Sequence, residues 1–409
     1  MAAQERPYQP SLPWRVSSAI HIGLVGFLSR SFLYALNRTQ TQGLDRFLEI
    51  LDSRKDETKR TRGLVTVSNH VSVLDDPMIW GVLPNRYFWN PNNMRWALGS
   101  HDVCFKNRLM ESFFSYGNTL PMHRAAYSKF GGLFQPTMSH AIRLLSDPHA
   151  HTAPENWEGA PRPSNSNPLS ESFPRSDPFS TAELTYTTTG SDRFPAPDVY
   201  PSRRFSWVHI FPEGMIHQHP DKAMRYFKWG VARLILEAEP CPDVLPMWID
   251  GPQHVMDDKR PWPRPLPRVG RDISINFGEL VDTEKVFEPY RKRWQELKAR
   301  AREQRQKFLT PSSTASDDEK QALANAWPQD GDAPTGLLTD WDLKYGPEAE
   351  QLRIDVTLAV RNEVLKVRRA TGLPDEDPKR GLAETFRAEG GAGQPRTGPK
   401  ADGSVVTED

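Results

Sequence analysis

Cysteine is nearly absent: Cys104 and Cys241 are the only two in 409 residues. That excludes a disulfide framework and any cysteine-based metal site. An excess of charge of one sign is also lacking. Lys and Arg total 52, and so do Asp and Glu, so no global basic field attracts nucleic acid and no such partner is expected. No G-x-S-x-G elbow occurs, which argues against a serine acyl-enzyme. No stretch is a clean membrane span. The nearest, Val16 to Leu36, is interrupted by His21, Ser29, Arg30 and Ser31. A spanning helix needs about 20 mostly apolar residues, and a charge at its centre costs several kcal/mol. The segment is expected to lie in a membrane interface or to enter it part way; a helix buried on the core is the alternative. Glu5, Pro7 and Pro10 sit early and no small-residue cleavage pattern follows, so no cleavable signal is expected.

What is present is proline, 37 residues of it, with 12 tryptophans and a mean hydropathy of −0.64. So much proline points to a folded core diluted by disordered stretches. Tryptophan is favoured where one end of a side chain meets water and the other hydrocarbon. Residues 1–40 read as an N-terminal segment carrying the interfacial helix. Residues 41–149 and 206–285 read as the catalytic core, with helices over 43–54, 76–83, 134–146 and 226–238. Its strands are expected over 64–68, 207–211, 244–249 and 273–277. Strands alternating with helices predict an α/β fold with a mixed central sheet flanked by helices. Between 151 and 203 there are nine prolines and few aliphatics, so 150–205 is expected to be a disordered insert. Residues 286–370 read as a charged helical extension and 371–409 as a disordered tail. Within 291–307, eight Lys or Arg stand against Glu296 and Glu303. That helix is either a solvated face or a patch that lies on an anionic membrane surface.

Chemistry concentrates where the Leu64–Ser68 strand ends. His70 and Asp75 are spaced H-x-x-x-x-D. Five residues along an ideal helix turn a side chain by about 140°, so the two share no helical face. They meet only if His70 sits on the strand-to-helix turn and Asp75 in the first helical turn. There the carboxylate accepts the imidazole N–H, sets the tautomer and stabilises the imidazolium. That is the equipment of a general base for a hydroxyl nucleophile. Phe211-Pro212-Glu213-Gly214 follows a second strand. Its proline sets a turn, its glycine admits close backbone approach, and its glutamate can orient a hydroxyl or a basic partner. Arg124 closes the run Gly117–Arg124 and can hold phosphate bidentately. Val244–Gly251 is a strand carrying Pro246, a residue that central strands avoid. His217 and His219 form H-x-H, but no third ligand is evident, so neither metal nor other cofactor is expected.

Any strand–turn–helix can carry a His and an Asp by chance; the ordered set is more specific. H-x-x-x-x-D, a G…R block, F-P-E-G and a proline-containing strand, in that order, resemble the glycerolipid acyltransferase family. The long runs VSNHVSVLDDPMIWG (67–81), MRWALGSHDVCF (94–105), FFSYGNTLPMHR (113–124), VHIFPEG (208–214) and RYFKWGVARLI (225–235) resemble its transacylase branch. The resemblance covers roughly residues 12–149 and 206–285. It implies an α/β acyltransferase fold and coenzyme A-independent exchange of acyl chains between phospholipids and lysophospholipids. Phosphatidylcholine, cardiolipin and monolysocardiolipin are the implied substrates. It also implies attachment to outer and inner mitochondrial membranes facing the intermembrane space. By motif position, His70 and Asp75 are the implied catalytic dyad, and Arg124, Glu213 and Gly214 the substrate-binding set. A coenzyme A-dependent acyltransferase carries the same dyad and stays open at this point. A membrane-binding protein with a decayed active site fits less well, since all of these residues are intact. The sequence sets no oligomeric state.

Overall fold

The structure is a computed structural model and describes residues 8–125, 127–149, 184–257, 262–263, 265–309 and 335–382. Its strands are β1 (Arg38–Gln42), β2 (Leu64–Val67), β3 (Trp96–Ser100), β4 (Thr119–Met122), β5 (Thr185–Tyr186), β6 (Phe194–Pro195), β7 (Trp207–Ile210), β8 (Asp243–Asp250) and β9 (Asp272–Phe277). Seven of them form one sheet in the order β1-β9-β8-β2-β7-β3-β4, and β5 pairs with β6. The β8–β9 pair is antiparallel and the other neighbours in the large sheet are parallel, so the sheet is mixed, as expected.

The helices are α1 (Leu12–Ala35), α2 (Leu44–Ser53), α3 (Asp75–Gly81), α4 (His101–Cys104), α5 (Arg108–Tyr116), α6 (Pro136–Leu145), α7 (Gly230–Glu237), α8 (Pro252–Val255), α9 (Thr283–Val286), α10 (Glu288–Leu309), α11 (Trp341–Tyr345) and α12 (Pro347–Ala370). They cover both faces of the sheet. Along β2, Val65 and Val67 join a core with α6, α7, α10 and α12, while Leu64 joins a second core with α1, α2 and α3. This is the period-two alternation of a strand buried on both sides. Pro246 lies in β8, third from one edge of the sheet. Its carbonyl accepts the Gly278 N–H at 2.8 Å, just past the end of β9. A strand residue's N and C=O point the same way, so the missing donor falls where that ladder has already ended.

Four expectations change. Helix α7 begins at Gly230 rather than 226, because residues 222–228 form no regular structure and Tyr226, Lys228 and Trp229 line a cavity wall. The second part of the 150–205 insert is ordered: Tyr186, Phe194 and Ala196 pack together, and Asp198 is buried against His140 and Arg143. The aromatic and aliphatic content of that part suffices for a small core of its own; residues 150–183 lie outside the described residues. The 286–370 extension is no appendage, since α10 and α12 complete the core with Trp294, Leu352, Val356, Val360 and Val364. Residues 371–382, expected as disordered tail, fold back and bury the Glu376 side chain.

The charge of α10 is partly consumed inside the protein. Arg291 is 5% exposed and donates to the carbonyls of Ile235 and Ala238, while Arg293 pairs with Asp355 and Arg300 with Glu348. Helix α1 answers both readings of its segment. Its Gly26 packs under Phe88 and its Gly23 under Trp89, so closely that an added Cβ would collide. Two of the polar interruptions face the protein: Arg30 donates to Val82 O and Leu83 O, and His21 packs edge-on against Phe113, as Ser18 Oγ, one turn earlier, donates to Tyr116 O; Ser31 is exposed. The opposite stripe, Leu12, Val16, Ile20, Leu24, Phe27 and Leu28, is exposed. By length and composition α1 could also cross a bilayer.

Candidate active site

His70 lies three residues after β2 ends, and its backbone is held by contacts from the ends of two strands and from the segment after β7. Asn69 clips the turn to β8: its side-chain amide donates to Ile249 O at 2.8 Å and accepts from Ile249 N at 2.9 Å. The His70 N–H donates to Glu213 Oε1 at 2.9 Å, and the His70 carbonyl accepts from His217 N at 2.8 Å. The ring stacks on Phe211 with centroids 4.3 Å apart.

Asp75 opens α3 and is fully buried. Its Oδ2 lies 2.8 Å from His70 Nδ1 and accepts the Val71 and Ser72 amides at 2.6 and 2.8 Å. Burial raises the Asp75 pKa, and the His70 and amide donors act against that rise. The network assigns the proton to Nδ1 and leaves Nε2 as the basic atom. Asp76, the next residue, pairs with Arg95 and accepts from Trp80 Nε1 at 3.0 Å. It thereby locks α3 to β3 and leaves Asp75 alone facing the imidazole.

His70 lines a cavity of about 360 Å³ whose walls are mostly apolar, among them Leu98, Met122, Leu133, Met138, Ile210 and Trp229. Arg124 and Gly214 line the same cavity. Gly214 has φ +65°, so its backbone conformation calls for glycine, and the end of the Lys228 side chain lies against it. The Arg124 fork is engaged by Asp102, with Nε to Oδ1 at 3.0 Å, and its guanidinium lies 4.1 Å over the Tyr127 ring. An anion would therefore meet an arginine already paired on one edge.

Glu213 corrects its reading. It is 1% exposed and does not line the cavity. Its Oε1 accepts from His70 N, and its Oε2 accepts from Arg225 N at 2.7 Å. Burial pushes its carboxyl up to about 7, against those two donors. The side chain holds two backbones rather than a ligand.

His101, His123 and Asp192 bring three possible ligand atoms within 4.8 Å of one another, a cluster that spacing could not reveal because Asp192 lies in the insert. Each member already has other work. Asp192 Oδ1 accepts from Thr187 Oγ1, Thr188 N and Thr189 N, and its Oδ2 accepts from Thr188 Oγ1. His123 Nε2 meets Thr188 Oγ1 at 2.7 Å, and the two imidazoles stack at 4.2 Å. The arrangement is a hydrogen-bonded tie between insert and core rather than an open ligand set.

Residues 50–150 match the family model described as Acyltransferase. Tafazzin of Saccharomyces cerevisiae is 31% identical over 375 residues, which cover 90% of this chain and 81% of the yeast protein. The chain belongs to the tafazzin family of acyltransferases. Tafazzin of Drosophila melanogaster is 28% identical over 275 residues, 67% of this chain and 53% of the fly protein. A Dictyostelium discoideum protein described as taffazin is 29% identical over 268 residues, 65% of this chain and 70% of its own length. Acyltransferase activity follows from that membership.

Reasoning from the sequence missed three parts of the site. Lys228, Trp229 and His123 line the cavity. Lys228 and Trp229 lie in 226–238, a stretch that read as one helix. The Arg95–Asp76 pair was hidden because its members lie 19 residues apart.

Proposed function

We propose that this enzyme moves acyl chains between phospholipids and lysophospholipids without coenzyme A, rebuilding cardiolipin from monolysocardiolipin with phosphatidylcholine as a donor. The observation that carries the reading is the His70–Asp75 dyad at the wall of an apolar cavity that also presents Arg124 and Lys228. Apolar walls suit an acyl chain, and cations suit a lipid phosphate. His70 Nε2 takes the proton of the acceptor's free hydroxyl as that oxygen attacks the donor's ester carbonyl. The tetrahedral intermediate collapses, the ester bond to the donor glycerol breaks, and the leaving oxygen recovers the proton from the imidazolium. Products and reactants are the same kinds of lipid, so one base serves both directions.

The exposed stripe of α1, with Trp89, Leu109 and Phe113 beside it, supports peripheral contact with a bilayer, where both substrates reside. The resemblance to the transacylase branch supports the absence of coenzyme A from the reaction. It also supports placement on outer and inner mitochondrial membranes facing the intermembrane space. The test is transfer of a labelled acyl chain from phosphatidylcholine to monolysocardiolipin in vesicles. Transfer without coenzyme A is expected. Transfer only when acyl-coenzyme A is supplied would instead assign the coenzyme A-dependent reaction.

A further inference from the structure

Residues 221–229 carry Tyr226, Lys228 and Trp229 to the cavity, yet they form neither strand nor helix. Ala223, Met224 and Phe227 are buried. A buried irregular segment must find partners for its backbone groups elsewhere, since an unpaired one is costly. Those partners come from two directions. From the core, Glu213 accepts the Arg225 N–H and Pro212 O accepts the Lys228 N–H. From the C-terminal region, Glu376 Oε1 accepts the Met224 N–H at 2.8 Å. Arg361 Nη2 donates to Met224 O at 3.3 Å and Arg361 Nε to Arg225 O at 3.4 Å. Arg368 donates to Lys222 O and Asp221 O, each at 3.2 Å.

The three C-terminal side chains are themselves interlocked. Glu376 Oε2 accepts from Arg361 at 2.6 Å, and Arg368 lies 3.4 Å from Glu376 Oε1; all three side chains are 3% exposed or less. Arginine's planar fork suits this task because one side chain serves two carbonyls in fixed geometry. Through Arg225 the clamp reaches Glu213, which holds the backbone of His70 with its other oxygen.

We propose that Arg361, Arg368 and Glu376 are positioning residues of the acyl-transfer site. They set the path of residues 221–229 and, through Glu213, the seat of His70, so residues 347–382 are a working part of the enzyme. The proposal rests on the acyl-transfer reading above. A displacement of about 1 Å at a catalytic constellation can lower turnover on the order of 100-fold.

The test compares the full-length parent, Glu376→Ala and Glu376→Gln in vesicle acyl transfer, at a temperature well below each unfolding midpoint. Glu376→Ala removes the acceptor of the Met224 N–H and is expected to lower kcat by about 10-fold or more in fully folded protein. Glu376→Gln keeps an acceptor oxygen there and is expected to restore most of that loss. A purely structural clamp would lower the unfolding midpoint of both variants and leave kcat of the folded enzyme within about twofold of the parent; that result overturns the proposal. Equal kcat losses in the Ala and Gln variants would overturn it too, because the backbone contact would not be what matters. If Glu376→Ala does not fold, Arg361→Lys takes its place. It keeps a cation beside Glu376 but cannot serve both carbonyls, so kcat is again expected to fall, and a parent-like kcat overturns the proposal. An inactive parent would count against the acyl-transfer reading, not against the clamp alone.

Discussion

The ring of His70 is oriented by a hydrogen bond at Nδ1 and a stacked face on Phe211, and neither contact uses Nε2. His70→Ala is therefore expected to lower turnover about 100-fold or more, with folding and vesicle binding unchanged by circular dichroism and co-sedimentation. Asp75→Asn keeps an oxygen for the Val71 and Ser72 amides but no longer stabilises the imidazolium, so turnover drops while the fold persists. Glu213 gives a pH signature. Its carboxyl is raised by burial from an ordinary 4.5 to about 7, so the folded protein binds this proton more tightly than the unfolded chain does. The corresponding stability is fully present below the unfolded value and is lost as pH rises through about 7. Chemical unfolding from pH 4.5 to 8 is expected to show a decline in the parent that Glu213→Gln lacks. The dyad was legible in the sequence because its two members are five residues apart and a turn alone brings them together. The duty of Glu213 was not legible, because its donors are the amides of His70 and Arg225, and backbone amides carry no residue signature.

Among the elements, α1 was expected in the interface, and its amphipathic logic lies in its packing rather than its composition. Small residues and hydrogen-bonded polar groups face the core, and a stripe of large apolar side chains faces out. A Leu24→Ser, Phe27→Ser, Leu28→Ser variant exchanges three exposed side chains. Burying such a side chain contributes about 1.5–3 kcal/mol, so co-sedimentation with phospholipid vesicles is expected to weaken more than tenfold at every salt concentration. Changing the solvent-facing lysines and arginines of α10 to glutamine is expected to have the smaller effect, confined to low salt. The insert obeys a different physics. Asp198 is 5% exposed and reaches His140 at 2.5 Å and Arg143 at 3.5 Å. Burial alone would raise its pKa, but His140 and Arg143 hold it well below the usual carboxylate range. Asp198→Ala leaves the buried Arg143 guanidinium and the His140 ring without that carboxylate and is expected to destabilise the protein by about 3–5 kcal/mol in denaturant unfolding. A change under about 1 kcal/mol, the size of an exposed pair, would show that the insert does not depend on this contact.

At the scale of the molecule, the dyad, the cations and the turn beside them come from four stretches of chain. The β2 end supplies His70, the β4 end supplies Arg124, the β7 end supplies Phe211 to Gly214, and residues 221–229 supply Lys228 and Trp229. The parallel order β2-β7-β3-β4 places the C-terminal ends of those strands on one side, which is where open α/β sheets gather their ligand sites. The C-terminal helices complete the core that the cavity-wall residues Met138 and Ile210 belong to, and they reach back to hold the segment that follows β7.

The sequence by itself determined the α/β class, four of the seven strands of the large sheet, the dyad and the family, because each rests on local pattern: alternation, a five-residue spacing, or a motif read within one turn; β1, β3 and β4 are short and lack that alternation. Only the tertiary structure decided that Glu213 holds backbone rather than ligand and that Arg124 shares its fork with Asp102. It alone showed that part of the proline-rich insert is packed and that the charged C-terminal helices belong to the core. These outcomes depend on partners far apart in the chain, Arg361 with Met224 and Asp198 with His140. Burial removes the water that would otherwise satisfy such groups, so the choice of partner is made by packing, and no spacing along the chain encodes it.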